Sequence, residues 1–256
     1  MIDKDLGNNI STWLEEYLSN SSLECYVVGV SGGIDSAVSS TLCAMTGRKT
    51  YVVNIPINSK QENTDLSELH CHWLCEKYDN VEAVHIDASG TYQSFEQIFI
   101  ESPQYNQLSN ANSKSRLRMM VLYYLATAHS GLVVGTGNKV EDFGVGFFTK
   151  YGDGGVDISP IADLLKSEVR ELASVLGIQE AILNAPPTDG LWDDSRTDES
   201  QIGASYEELE WAMAHLESAN DGFLTSRQEE VLAIYSSFHT KNQHKMVGIP
   251  TYKVRK

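Results

Sequence analysis

The stretch CYVVGVSGGIDSAVSSTL, residues 25–42, constrains the fold more than any other. Residues 25–30 are apolar or glycine with no polar alternation, as in a strand buried on both faces of a parallel sheet. Two glycines follow, and then Ala37, Val38, Thr41, Leu42 and Met45 recur at spacings of one, three and four. That is the apolar stripe of a helix. A strand that feeds a helix through a tight glycine turn begins a crossover unit. Parallel strands require such units, because a hairpin cannot join them.

The alternation continues along the chain. Residues 9–19 carry a helical stripe of Ile10, Trp13, Leu14, Tyr17 and Leu18. KTYVVNIPI (49–57), VEAVHID (81–87) and GLVVGTG (131–137) read as strands, with helices over 64–78 and 113–129 between them. The pattern predicts an α/β fold with a doubly wound, mainly parallel sheet flanked by helices.

The texture changes beyond Gly135. Residues 135–155 hold seven glycines in 21 positions, which predicts a long loop, mobile over about 143–156. A helix over 164–176 follows (Leu165, Val169, Leu172, Leu176), stopped by Gly177. Residues 185–204 form a second polar loop, expected to be mobile. Capping boxes at Ser205/Glu208 and Thr225/Gln228 then start two helices. Without repeats or a linker, residues 1–256 are expected to form one domain with two active-site lids.

Composition narrows the partners. A net charge of −16 disfavours nucleic acid, which needs a basic stripe. No apolar run reaches the roughly 20 residues that span a bilayer. Four cysteines in 256 residues are too few for a disulfide framework, so a reduced, cytoplasmic setting is expected. An anionic substrate would need a local field built from a metal ion, helix N-termini and a few placed cations.

The SGGIDS loop can build that field. Gly32 and Gly33 permit a nest of converging N–H groups, the following helix adds its positive end, and Ser31 and Ser36 donate hydroxyls. Asp35 would repel a phosphate unless it holds Mg²⁺, which takes hard oxygen ligands and bridges phosphates. The lysine of a Walker loop is missing. The bland alternative is an N-cap aspartate after a glycine turn.

The string S-G-G-x-D-S after the first strand resembles the loop of the N-type ATP pyrophosphatases, which adenylate an oxygen and release pyrophosphate. GTGNKVEDFGVGFFTKYGDGG, NANSKSRLRMMVLYYLA, PPTDGLWDDSRTDESQIGASYEELE and HKMVGIPTY resemble blocks of the NAD synthetases, across nearly the whole chain. The resemblance implies an adenine nucleotide alpha hydrolase-like fold and a homodimer. It implies a reaction in which deamido-NAD, activated by ATP as an acyl-adenylate, is amidated by ammonia to NAD, with AMP and pyrophosphate released. It also implies roles for individual residues. Ser31, Gly32, Gly33, Asp35, Ser36, Thr136, Lys166 and Thr188 would bind ATP, and Asp35 with Glu141 would hold Mg²⁺. Asn112, Lys114, Arg116, Lys150, Asp153, Asp157, His244 and Lys245 would line the deamido-NAD site. Asp153 and Lys166 would be catalytic, Asp153 by attracting ammonium and taking its proton. The chain departs from the family at Met246, where many members are basic.

Glutamine-using relatives carry an additional amidase domain, which is not expected within these 256 residues. The tail HKMVGIPTYKVRK is apolar enough to be expected to pack. HCHWLC (70–75) places two cysteines at i, i+4 but lacks a second ligand pair at tetrahedral spacing, so it reads as core and surface residues. Two other readings remain open: a tRNA-modifying pyrophosphatase, which the acidic charge disfavours, and an inactive nucleotide-binding module.

Overall fold

A computed structural model describes residues 5–188, 190–192, 196–218 and 222–254. Strands β1 (Cys25–Gly29), β2 (Lys49–Asn54), β3 (Val81–His85) and β4 (Gly131–Val134) form one sheet in the order β3-β2-β1-β4. All neighbours are parallel; Val28 pairs with Val52 on one side and with Val134 on the other. β1 therefore has no exposed edge, and alternate residues enter different cores. Tyr26 and Val28 pack with α1 (Leu6–Asn20), α2 (Ile34–Met45) and α6 (Lys166–Leu176). Val27 packs on the other face with Met119, Leu122 and Ala126 of α5 (Gln107–His129). The unbroken apolar run of residues 25–30 follows from this two-sided burial. Each fully buried side chain such as Leu42 or Leu172 contributes about 1.5–3 kcal/mol over exposure.

The chain winds from β1 outward to β2 and β3, and then returns across the sheet to β4. The order reverses between β1 and β4, and the crevice beyond their carboxyl ends is where open α/β sheets bind ligands. Helices α3 (Gln61–Lys77) and α4 (Ser89–Glu96) complete this half of the chain; α7 (Glu180–Leu183) and α8 (Asp198–Ile202) are short. Helices α9 (Tyr206–Ser218) and α10 (Ser226–Met246) form a third layer with its own core, where Val140 and Val145 meet Leu209, Val231 and Tyr235.

Several elements differ from the sequence reading. α5 begins at Gln107, because the Asn106 side chain caps it by accepting from Ser109 N (2.9 Å). α4, α7 and α8 carry too little periodicity to announce themselves. Within the glycine-rich stretch, Val140–Val145 form a π-helical turn that ends at Gly146, with φ +64°. Its valines bury into the third layer, and that burial makes a helical turn of what reads as loop. The tail from Val247 to Val254 does not pack, since no described element covers it; Ile249 and Tyr252 are exposed. α6 stops at Gly177 in the left-handed region, and both capping boxes form as read. Among the described residues no helix is long and apolar enough to cross a membrane.

Candidate active site

The loop after β1 is held in shape by its serines. Ser36 Oγ donates to Gly33 O (2.9 Å) and lies 3.1 Å from Ser31 Oγ, which accepts from Gly33 N (3.3 Å). Gly32 adopts φ +89°, and a Cβ there would lie 2.8 Å from Asn63 O and 3.0 Å from Ser67 N on α3. Only glycine satisfies both conditions. The loop delivers Asp35 to the first turn of α2, at the crevice.

The loop after β4 reaches the same crevice. It carries the half-buried Thr136, then the buried Asn138, whose amide donates to Asp35 Oδ1 (3.3 Å) and accepts from Glu141 N (3.2 Å). The π-helical turn then presents Glu141. Lys166, the first residue of α6, completes the cluster: its Nζ lies 2.5 Å from Asp35 Oδ2 and 3.2 Å from Glu141 Oε1. Lys166 is 3% exposed and its Nζ stands 4.7 Å from the centre of the Tyr206 ring. Tyr206 in turn donates its hydroxyl to Glu141 Oε1 (2.5 Å) and, at 3.4 Å, to Asp198 Oδ2.

The electrostatics follow from this packing. Burial alone would lower the Lys166 pKa, but Asp35 and Glu141 outweigh it and raise the ammonium above its ordinary range. Tyr206 is pushed upward by burial and by the Glu141 and Asp198 charges, so its hydroxyl stays protonated as a donor. Asp142 is raised to about 8, mostly by burial and further by Glu141, Asp153 and Asp35. It lies so close to Gly137 that a side chain there would strike the carboxylate.

Asp35 and Glu141 converge on one shared cation, here an ammonium, and carboxylate oxygens are the donors that Mg²⁺ takes. The donor set fits that ion.

A second group lies where α5, the 146–153 turn and α10 meet. Ser115 Oγ donates to Asp153 Oδ1 (2.6 Å) and accepts from Asp153 N (3.0 Å), while Thr149 N donates to the same Oδ1 (3.1 Å). Asp153 is an exposed residue, yet its carboxylate is crowded by these neighbours, and that desolvation raises its pKa against the hydrogen bonds. Asn112 accepts from Thr149 Oγ1 (2.7 Å), Arg116 Nε donates to Lys150 O (3.2 Å), and Lys150 Nζ donates to His244 O (2.5 Å). Lys245 Nζ donates to the carbonyls of Gly146 (2.9 Å) and Phe148 (2.8 Å).

The structure thus brings Asp35, Glu141 and Lys166 into direct contact, and gathers Asn112, Arg116, Lys150, Asp153, His244 and Lys245 around one turn. Three expected residues stand apart. Lys114 is buried and donates to Leu191 O (3.1 Å) of the second loop. Asp157 braces the sheet, accepting from Val133 N (2.8 Å) and Tyr123 OH (2.9 Å). Thr188 is exposed, and its hydroxyl accepts from Gly190 N (3.3 Å); positions 189 and 193–195 of that loop lie outside the described residues. Sequence reading missed Tyr206, Asp198, Asn138, Ser115 and Asp142. Only Asn138 and Asp142 carried a signal, as neighbours of Glu141. The HCHWLC residues are engaged elsewhere: His70 is buried against Ser40 Oγ (3.1 Å) and Gln179 Oε1 (3.2 Å), Cys71 is core, and His72 pairs with Glu76 (3.1 Å).

A doubly wound sheet with a glycine–serine loop after its first strand and a carboxylate–lysine cluster across the switch point defines an α/β protein built to hold an anionic nucleotide. Residues 6–247 match the model of the NAD synthase family, and the chain belongs to that family. It is 36% identical to an NH3-dependent NAD+ synthetase of Mesoplasma florum over 96% of this chain and 95% of that one. A relative of the same description from Syntrophomonas wolfei is 40% identical over 79% and 81% of the two chains. Among solved structures, NMN synthetase from Francisella tularensis superposes with a TM-score of 0.87 at 28% identity, covering 99% of this chain and all (100%) of that one. The NH3-dependent NAD synthetase of Campylobacter jejuni, in complex with nitrate, gives 0.79 at 25% identity over 98% and 100%.

Proposed function

We propose that this protein makes NAD from deamido-NAD, ATP and ammonia, through an acyl-adenylate, releasing pyrophosphate and AMP. The observation that carries the reading is the Lys166 ammonium held between Asp35, after β1, and Glu141, after β4. Both carboxylates stand at the crevice where the phosphates of a nucleotide would lie.

In this reading Asp35 and Glu141 would hold Mg²⁺, which would supply neutralisation of the phosphate charge. The Ser31–Ser36 loop, with Gly32 and Gly33, binds the β- and γ-phosphates through N–H and hydroxyl donors. Thr136, Lys166 and Thr188 complete the ATP site. Lys166 supplies the positive charge that the loop lacks. Asn112, Arg116, Lys150, His244 and Lys245 orient deamido-NAD so that a carboxylate oxygen of its nicotinate faces the α-phosphorus, with Lys114 and Asp157 bracing the surrounding loop and sheet. That oxygen attacks, and the bond to the β-phosphate oxygen breaks. Asp153 then draws in ammonium and takes its proton; the freed nitrogen attacks the acyl carbon, and AMP leaves.

A homodimer belongs to this reading, supported by the exposed apolar residues Met120 and Tyr124, four apart on one face of α5. A reduced, cytoplasmic setting is supported by four unpaired cysteines, three of them buried. The superposition on the Francisella NMN synthetase favours a second reading that differs only in substrate: the same amidation performed on a mononucleotide.

The test is turnover with Mg-ATP and ammonium, comparing deamido-NAD with its mononucleotide by kcat/KM. Ammonium-dependent amide with one AMP per product supports the reaction, and the larger kcat/KM names the substrate. ADP as product, or no turnover with either, rejects it.

A further inference from the structure

The π-helical turn that carries Glu141 has a physical difficulty at its end. The last carbonyls of any helical turn lack N–H partners from their own segment. Gly146 turns left-handed at φ +64°, so the chain departs and leaves those of Gly144, Val145 and Gly146 unclaimed by a following helical turn.

The C-terminal helix supplies the partners. His239 Nδ1 donates to Gly144 O (2.7 Å), and Asn242 Nδ2 donates to Val145 O (2.9 Å). Lys245 Nζ donates to Gly146 O and Phe148 O. The three donors are spaced three residues apart, so they form a stripe down one face of α10. The glycines let that face approach. A Cβ on Gly146 would stand 2.5 Å from the Cβ of Asn242, and one on Gly144 would stand 3.3 Å from the Tyr235 ring. Asn242 is buried, so its amide has little alternative partner in water.

The segment held in this way, residues 144–148, lies within the connection between Glu141 and Asp153. We propose that His239 and Asn242 are positioning residues: they fix these carbonyls, and so set where Glu141 meets Lys166 and where Asp153 meets Ser115. Both residues act through the backbone of the segment. The proposal rests on the functional reading above for its kinetic consequence, though not for the contacts themselves.

Two substitutions test it in the full-length protein. Asn242→Asp keeps the size but sets an acceptor against Val145 O. His239→Leu removes a donor, and His239→Asn restores one near the Nδ1 position. The expected result is that N242D and H239L each lower kcat about tenfold, as loss of one hydrogen bond allows, with KM for deamido-NAD within about twofold, a small change on the same scale. H239N should recover to within about threefold of wild type. Amide exchange measured without substrates should rise across 141–150 in N242D and H239L while the rest of the chain keeps its protection. Unchanged exchange in that segment, unchanged kcat, or H239N behaving like H239L would overturn the proposal. A wild-type protein that fails to turn over would strike the functional reading instead, and the exchange measurement would still decide whether the stripe holds the segment.

Discussion

Lys166 Nζ stands 2.5 Å from Asp35 Oδ2, although 131 residues separate them in the chain. With Glu141 at 3.2 Å on its other side, the ammonium occupies the point where two carboxylates converge. A divalent cation entering between them must first displace this lysine, and a displaced lysine is free to turn toward phosphate. In the proposed function, cation and nucleotide are coupled through this one side chain.

Lys166→Met leaves the two carboxylates facing each other without a countercharge. Breaking a buried ion pair from one side costs about 3–5 kcal/mol, so the melting temperature should fall, and millimolar Mg²⁺ should restore much of it. In the absence of ATP, Mn²⁺ titrated by electron paramagnetic resonance should bind the variant at least about tenfold more tightly than wild type, a 1.4 kcal/mol change. Equal affinity in the two proteins would show that Lys166 does not compete for the site.

Tyr206 is 2% exposed and gives its hydroxyl to Glu141 Oε1 at 2.5 Å. Tyr206→Phe keeps the ring beneath the Lys166 ammonium and removes only that donor. A hydrogen bond to a charged group is worth about 1.5–3 kcal/mol, so ATP–pyrophosphate exchange should slow by about tenfold to a hundredfold. A variant with wild-type exchange rates would remove Tyr206 from the site.

The fold was legible where burial and periodicity coincide. β1 sits between β2 and β4 with helices on both faces, so its residues had to read as one apolar run, and they do. That Asp35, Glu141 and Lys166 share a site was expected from the family resemblance of the segments that carry them, and the structure places Lys166 against both carboxylates. Tyr206 was not. It follows a helix cap in a segment with an ordinary apolar stripe, and nothing local says that its hydroxyl points across the domain at a residue 65 positions earlier. The same is true of Ser115, one polar residue on a long helix, and of Asp157, whose carboxylate serves the β4 backbone. Periodicity reports which face a residue occupies. It does not report what folds against that face.

Stability should fall in mild acid because of His70. Its ring is buried between α2, α3 and α7, and desolvation holds its native pKa below the 6.5 of an unfolded histidine, against hydrogen bonds to Gln179 Oε1 and Ala37 O that favour the charged form. Well above pH 6.5 both states are neutral at this site, and it adds nothing to the pH dependence. Below that value the unfolded chain gains a proton that the native state refuses, so stability declines as pH falls toward the native pKa. The slope from one such group approaches about 1.4 kcal/mol per pH unit. Urea unfolding between pH 7 and 5 should show this loss, and His70→Gln should flatten it; an unaltered slope in the variant would assign the loss to other groups.

Asp153 sits at the end of the segment that begins with Glu141, and its Oδ1 is already committed to Ser115 Oγ and Thr149 N. Those donors fix the carboxylate while its other oxygen has no partner among the described residues' hydrogen bonds to Asp153. A fixed carboxylate with one oxygen to offer suits a cation that must lose a proton before it attacks. Asp153→Asn keeps the shape and removes the negative charge. ATP–pyrophosphate exchange, which reports adenylation, should stay within about twofold of wild type, whereas ammonium-dependent NAD formation should fall by about a hundredfold or more, the lower range for lost general base catalysis. Ser115→Ala should show the same selectivity more weakly, since it loosens the carboxylate without discharging it. Equal loss of both half-reactions in Asp153→Asn would place the residue in substrate binding and leave ammonium without its base.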